Sequence, residues 1–286
     1  MSKHLLCTVA DDGFVAMTRV MLHSFAKHNS WFKGDVSVIH GGDKCPLSEE
    51  SKEKLSNCCS LNISFEDVGD LYLPIMSRVL KHKGNEQNIR TLVGFYKYEV
   101  FRDRGYERSV SLDGDMLIQD DIGYLFDNPS KMLFCLDGLG NSFSGDLGPG
   151  EPFPSKYNEI NTGMMSVDVS SLDSNFYNIL YDFALNYNYA KHSLPRNEQT
   201  LLSRFLRNRS KSIAPQSYNV IRRGLHSKAF RKGFAKKAKI IHYTGDKPTS
   251  PVNTGNISFR LNGLMRGYKS VMDLWRNYNK KYFNNE

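Results

Sequence analysis

With 286 residues, 40% of them hydrophobic and 24% charged, the chain can bury one large core. Its formal charge of +8 and pI near 9.1 favour an anionic partner: nucleic acid, a nucleotide, a phosphorylated glycan or an anionic membrane. No run approaches the roughly 18–20 apolar residues that cross a bilayer, and Met1 to Cys7 is too short an apolar stretch for a signal peptide. Cys7, Cys45, Cys58, Cys59 and Cys135 form no Cys-x-x-Cys pair and no repeated spacing. They read as reduced thiols of a cytoplasmic protein, which excludes a disulfide framework and a cysteine zinc site.

Leu5 to Val9 reads as a first strand, closed by the turn Ala10-Asp11-Asp12-Gly13. Phe14, Met17, Met21, Leu22 and Phe25 then share one face of a helix. Val36 to Ile39 is a second strand, a polar helix runs near Leu47 to Leu55, and a third strand lies near Leu61 to Phe65. Alternation of strand and helix predicts an open α/β sheet with its ligand outside the carboxyl ends of the strands. A helix from about Asn88 to Arg102 follows, with Ile89, Leu92, Val93, Tyr96 and Val100 at helical spacing and Lys97 in its middle.

Ser109 to Ile118 is the stretch with the most chemistry. Val110 and Leu112 alternate with small polar residues as in a short strand, and the pattern breaks at Asp113. Leaving a strand end, Asp113 and Asp115 can turn to one point, and Gly114 lets the backbone approach a ligand. Two hard oxygen donors suit Mn²⁺ or Mg²⁺, and such an ion suits a diphosphate. Taken alone, Asp-Gly-Asp is also an ordinary surface turn.

Beyond it, Asp120 to Phe126 starts like a capped turn, and Met132 to Asp137 is a strand ending in a carboxylate. Residues 138–158 are rich in Gly, Ser and Pro without periodicity, and a loop of that length usually covers a binding site. Asn161-Thr162-Gly163 reads as a polar turn feeding a strand. A helix is expected over about Leu172 to Tyr187, and a shorter one begins at Asn197-Glu198-Gln199. Arg222 to Lys239 is basic and free of acids, which is either a solvated face or a surface for an anionic acceptor or membrane. Ile240-Ile241 forms a strand ending at His242. Leu264, Tyr268, Val271, Trp275, Tyr278 and Tyr282 then fall on one helical stripe, which docks on the core or lies on a membrane.

Ala10-Asp11-Asp12, Leu112-Asp113-Gly114-Asp115, Asn161-Thr162-Gly163, Glu198-Gln199 and His242-Tyr243-Thr244-Gly245-Asp246-Lys247-Pro248, in this order, resemble glycosyltransferase family 8. That is the retaining GT-A group that includes glycogenin and bacterial lipooligosaccharide galactosyltransferases, and the likeness spans about residues 4 to 250. It implies a Rossmann-like α/β fold with a mixed, mostly parallel central sheet flanked by helices. A catalytic domain would cover 1–250, and 251–286 would be a helical extension packed on it.

The resemblance also implies roles. Asp113, Asp115 and His242 would bind Mn²⁺, or Mg²⁺, across the diphosphate of a UDP-sugar. Ala10 and Asp12 would line the uridine pocket, and Lys97 and Asp137 would hold the donor's sugar and phosphate. Gly114, Asn161 and Gly163 would lie beside the donor, and Lys247, in the motif that contains Gly245, would approach the diphosphate. Glu198 and Gln199 would face the reacting sugar. Three positions depart from the pattern: Thr249 where Trp usually follows Lys-Pro, Glu198 for an Asp, and Thr162 for an Ala.

The expected activity is transfer of a hexose to a lipid- or protein-linked glycan. Two rival readings differ in class. A haloacid-dehalogenase-like phosphatase also ends a strand in Asp-x-Asp, but Met116-Leu117 follow here, and over a hundred residues precede the motif. A basic nucleic-acid binder would explain the charge but not a carboxylate pair with a distant His, and no RNA or DNA motif is visible.

Overall fold

The computed structural model describes residues 4–83, 86–137, 143–154, 159–189, 191–192, 194–221, 237–245, 247–249 and 262–283. Strands β1 (His4–Val9), β2 (Asp35–His40), β3 (Asn62–Asp67) and β4 (Arg108–Leu112) lie parallel in the order β3-β2-β1-β4. The strand β8 (Ile160–Asp168) pairs antiparallel with β4, and beyond it come β6 (Met132–Leu136), β9 (Lys211–Ile213) and β7 (Gly145–Leu147). The order β3-β2-β1-β4-β8-β6-β9-β7 is mostly parallel, with β8 and β7 reversed. A second sheet, β10-β11-β5, joins β10 (Val220–Ile221), β11 (Ile240–His242) and β5 (Met116–Ile118).

Helices cover both faces of the large sheet. On one face α1 (Val15–His28), α2 (Glu49–Ser56) and the short α4 (Tyr124–Asp127) set Met21, Leu22, Phe25, Leu55 and Leu125 against Leu6, Val36, Val38 and Val110. The other face carries α3 (Leu73–Lys83), the 3₁₀ helix Glu86–Phe101, α5 (Phe176–Asn186) and α6 (Asn197–Phe205), whose Ile75, Phe95, Leu180 and Leu201 meet Leu5, Phe134 and Met165. A third cluster sits between α1, the small sheet and the C-terminal helix. There Met17 and Val20 of α1, Leu117 and Ile241 meet Val271, Met272 and Trp275 of the C-terminal helix α7 (Asn262–Phe283). The expected apolar stripe of α7 therefore docks on the protein's own core at Val271 and Trp275. Tyr243 donates its hydroxyl to Val271 O (2.9 Å) and Arg276 Nε reaches Pro248 O (3.1 Å). Leu264 and Tyr268 belong to side chains outside the described ones.

Several local expectations are corrected. The strand read up to Asp113 is β4 of the large sheet, but Met116–Ile118 form a further strand, β5, of the small one, so Asp113-Gly114-Asp115 is the joint between two sheets. Ser109 and Ser111 are as buried as Val110 and Leu112, because helices cover both faces of the sheet and the alternation marks no solvent side. The helix over 88–102 is 3₁₀: Leu92, Phe95, Tyr98 and Phe101 form one buried row at three residues per turn, and Tyr96, Glu99 and Val100 are buried beside it. Asn161-Thr162-Gly163 is no turn. It lies inside β8, where the pairing jumps from Phe134↔Met165 to Cys135↔Asn161, a bulge of the kind that re-aims side chains. Within 138–158 the short strand β7 pairs with β9, while 138–142 and 155–158 lie outside the described residues. The helix expected from Leu172 starts at Phe176, after a 3₁₀ turn over Val169–Ser171 capped by Asp168. Sequence reading passes over α3, although Ile75, Met76, Val79 and Leu80 stand at helical spacing and are buried, and over β9 and β10, which are too short for a periodic signal. Of the basic run, 222–236 lies outside the described residues.

Candidate active site

The topology brings several strand ends to one edge. Strand β1 ends at Val9-Ala10 and β4 at Leu112-Asp113, β6 ends at Leu136-Asp137, and β8, running the other way, begins at Ile160-Asn161. This is the crevice where chain connections diverge to either side of β1. A cavity of about 290 Å³ opens there, lined by Ala10, Asp11, Phe14, Gly94, Lys97, Asp113, Gly114, Asp115, Glu198 and Lys247 among others.

His242, 2% exposed, arrives from β11 of the small sheet. Its Nε2 stands 3.4 Å from Asp113 Oδ2 and 3.2 Å from Asp115 Oδ1. One ligand atom from each of the three residues lies within 4.8 Å of the others. The backbone holds this geometry from both sides, with Asp113 N donating to Gly163 O (2.9 Å) and Tyr243 N to Asp115 O (2.9 Å). Gly163 is required by packing, because a Cβ there would come 2.8 Å from His242 Nδ1. Gly114 serves the same end in part: a Cβ on it would strike Thr18 of α1.

Two lysines flank the carboxylates. Lys97 Nζ bonds Asp113 at 2.7 and 2.9 Å and lies 4.0 Å from Glu198 Oε1. Lys247 pairs with Asp115 and donates to Tyr243 O (3.1 Å), the chain folding back at Gly245, whose φ of 81° suits glycine.

The charges are tuned by burial against partners. Burial works to raise the pKa of Asp113 and of Asp115. Lys97 and His242 outweigh it at Asp113, and His242 and Lys247 at Asp115, so both carboxyls are held below their ordinary range. Burial works against charge on His242, yet Asp115 and Asp113 raise it from 6.5 to about 9. Burial likewise opposes Lys97, and Asp113 and Glu198 hold it above its ordinary value. Glu198 goes up because its own burial exceeds the help from Lys97.

Glu198 lines the cavity and accepts from Thr162 Oγ1 (3.2 Å), while Tyr98 OH holds its backbone carbonyl (2.8 Å). Gln199 is buried behind it and donates to Glu159 Oε2 (3.4 Å). Asp137 pairs with Arg196 (3.0 Å), which also bonds Glu159 (2.8 Å). Between Arg196 and Glu198, Asn197 adopts φ 45°, an uncommon left-handed conformation for a non-glycine residue.

Ala10, Lys97, Asp113, Gly114, Asp115, Glu198 and Lys247 thus meet at one cavity. Asn161, Gly163 and His242 form its supporting wall, with Gln199 and Asp137 behind. Asp12 does not join them. Its carboxylate accepts from Ser48 N (2.8 Å) and Ser48 Oγ (2.9 Å) at the start of α2, and is drawn away from the cavity. Asp11 lines the cavity instead, and its buried Oδ1 has no hydrogen-bond partner among the described residues. Sequence reading also missed Glu159, Arg196 and Asn219, which no local motif marks.

Two carboxylate oxygens and an imidazole nitrogen form a donor set that suits a hard or borderline divalent cation such as Mn²⁺ or Mg²⁺. The residues present therefore fit a metal.

The family model for glycosyl transferase family 8 matches residues 6–248. Among solved structures, galactosyltransferase LgtC in complex with donor and acceptor sugar analogues is similar at a TM-score of 0.58 and 14% identity, over 96% of this chain and 99% of that one. The apo bifunctional glycosyltransferase WbbM gives 0.60 at 16% identity, over 97% and 52%. Mouse xyloside xylosyltransferase 1, apo form, gives 0.55 at 13%, over 87% and 100%. At such identities the likeness is one of fold, the GT-A fold. No curated protein sequence matches the chain significantly. On the family match, which covers most of its length, this chain belongs to glycosyl transferase family 8.

Proposed function

We propose that the chain is a metal-dependent, retaining hexosyltransferase that moves galactose or glucose from a UDP-sugar to a lipid- or protein-linked glycan, giving an α-linkage. The observation that carries this reading is the convergence of Asp113, Asp115 and His242 within 4.8 Å at a cavity that also presents Lys97 and Lys247. Bound there, Mn²⁺ (or Mg²⁺) would neutralise the donor's diphosphate and stabilise the charge it gains as the glycosidic bond breaks.

The side chains divide the remaining work. Asp113, Asp115 and His242 would hold the ion. Asp11 and Ala10 line the cavity beside β1 and would meet the nucleoside, with Asp11 in the place expected of Asp12. Lys247 would turn from Asp115 to the leaving diphosphate. Glu198 and Lys97 face each other across the cavity wall and would hold the sugar, with Glu198 offering negative charge to the developing positive charge at the anomeric carbon. Asn161 and Gln199 support this from behind, and Asp137 fixes Arg196 at the start of α6. Residues 1–250 would form the catalytic domain, and 251–286 a helical extension. The basic run 222–239 would orient the enzyme on an anionic acceptor or on the cytoplasmic face of a membrane. Among the described residues no helix is long and apolar enough to span one.

Calorimetry tests the reading. Asp113→Asn, Asp115→Asn and His242→Ala should each greatly weaken Mn²⁺-dependent UDP binding while the protein stays folded. Unchanged UDP and Mn²⁺ affinity in His242→Ala would remove His242 from the site.

A further inference from the structure

Behind His242 lies a chain of buried amides whose hydrogen-bond directions are all forced. It starts at an unambiguous donor. The backbone N–H of Gly163 lies 3.0 Å from an atom of the Asn161 amide, which must be the oxygen Oδ1. The Asn161 NH₂ then faces Asp137 Oδ1 (3.4 Å) and Gln199 Oε1 (3.3 Å).

Asn219, wholly buried, brings one amide atom 2.8 Å from Asn161 Oδ1. Only an NH₂ can donate to that oxygen, so Asn219 turns its own oxygen the other way, 2.9 Å from His242 Nδ1. An acceptor there requires a hydrogen on Nδ1. Neutral imidazole carries a single N–H, so Nε2 keeps its lone pair. Nε2 is also the nitrogen that faces Asp113 and Asp115.

From this geometry we infer that Asn219 is a positioning residue: it holds His242 in the Nδ1–H tautomer and so presents Nε2 as the electron-pair donor to a divalent cation. The inference rests on the proposed metal site: without an ion Asp113 and Asp115 also accept from Nε2, and Asn219, by taking the Nδ1 hydrogen, leaves Nε2 as the nitrogen free to coordinate once an ion displaces that hydrogen. Gly163 has a double part, fixing the polarity of the relay with its N–H and leaving room for the imidazole with its missing Cβ. Asn219 is itself held by its backbone, with its N–H donating to Gln216 O (3.1 Å) and its carbonyl accepting from Gln216 Nε2 (2.8 Å). Outer partners of this kind orient ligating histidines, and their loss typically weakens metal binding by about 10–100-fold.

The test uses ¹⁵N NMR of the imidazole with Mg²⁺ and UDP bound, together with Mn²⁺ titration calorimetry in the presence of UDP. Wild-type protein should show a protonated Nδ1 and an Nε2 without a hydrogen. Asn219→Leu removes the acceptor, and should shift His242 toward the Nε2–H tautomer and weaken Mn²⁺ binding about 10–100-fold. Asn219→Asp keeps an oxygen on Nδ1, and should retain the tautomer and hold Mn²⁺ affinity to within roughly threefold of wild type. A protonated Nε2 in the wild type overturns the inference without any variant having to fold. So does an Asn219→Leu protein whose tautomer and Mn²⁺ affinity match wild type. Wild type that binds neither Mn²⁺ nor Mg²⁺ in the presence of UDP would refute the metal site instead, so the two failures are told apart.

Discussion

Gly94→Ala should separate stability from turnover. Gly94 lies one 3₁₀ turn before Lys97 on the wall of the cavity. A Cβ at this position would stand 2.5 Å from Glu198 Cδ and 2.7 and 2.8 Å from its carboxylate oxygens, where ordinary contact begins at 3.4 Å. The carboxylate has to retreat by about 1 Å, and such a displacement at a reacting centre costs about 10²-fold in rate, or about 2.7 kcal/mol. Stability moves far less. Losing the Thr162–Glu198 hydrogen bond of 3.2 Å costs about 0.5–1.5 kcal/mol, and replacing Gly by Ala returns about 0.4–1 kcal/mol through the unfolded chain. Urea unfolding should therefore shift by less than about 1 kcal/mol, and UDP affinity should hold to within about threefold, while kcat for UDP release falls about a hundredfold. A kcat within about twofold of wild type would show that the position of Glu198 does not matter to the reaction.

Three further outcomes test other parts of the molecule. In chelator, where burial is outweighed by Asp115 and Asp113 and His242 rises from 6.5 to about 9, the pairing stabilises the fold fully below pH 6.5 and is lost as pH climbs towards 9. Thermal unfolding of the metal-free protein should thus weaken across that window, and a flat Tm would remove the His242–carboxylate pairing. Mass spectrometry after brief iodoacetamide treatment should find Cys59 modified first. The Cys58 thiol beside it (3.6 Å) lowers its pKa, whereas burial pushes Cys7 and Cys45 up to about 12; equal labelling of Cys7 would contradict this. Glu99 is wholly buried and holds Tyr72 OH (2.7 Å), Tyr177 OH (2.6 Å), Arg104 (2.6 Å) and Arg102 (3.0 Å). Glu99→Leu leaves Arg104 without that partner and should cost about 3–5 kcal/mol in urea unfolding, and a loss under about 1 kcal/mol would show the network to be replaceable.

The reading of the strands was legible because buried strands end abruptly in polar residues, and the ends of β1, β4 and β6 are where Ala10, Asp113 and Asp137 stand. What stayed hidden depends on residues far apart in sequence. Nothing local tells which of two adjacent carboxylates is captured by Ser48, 36 residues on, so Asp12 was read as lining the pocket when Asp11 lines the cavity. The joint at Asp113-Gly114-Asp115 was visible as a break in pattern. Its meaning, a crossing from one sheet to another, needed the pairing of β5 with β11. Asn161-Thr162-Gly163 has turn composition, but tertiary pairing on both sides kept it in a strand and expressed that composition as a bulge. Asn219 and Glu159 sit in stretches without periodicity, and their importance appears only when β8, β10 and α6 come together.

The most direct measurement is a panel of nucleotide sugars incubated with the purified protein, with and without Mn²⁺, followed by NMR of the anomeric proton of any transferred or released sugar. The account predicts turnover of UDP-galactose or UDP-glucose that requires Mn²⁺, disappears in Asp113→Asn, and gives a sugar that keeps the donor's α configuration. A product of β configuration, or equal turnover in chelator, would contradict it.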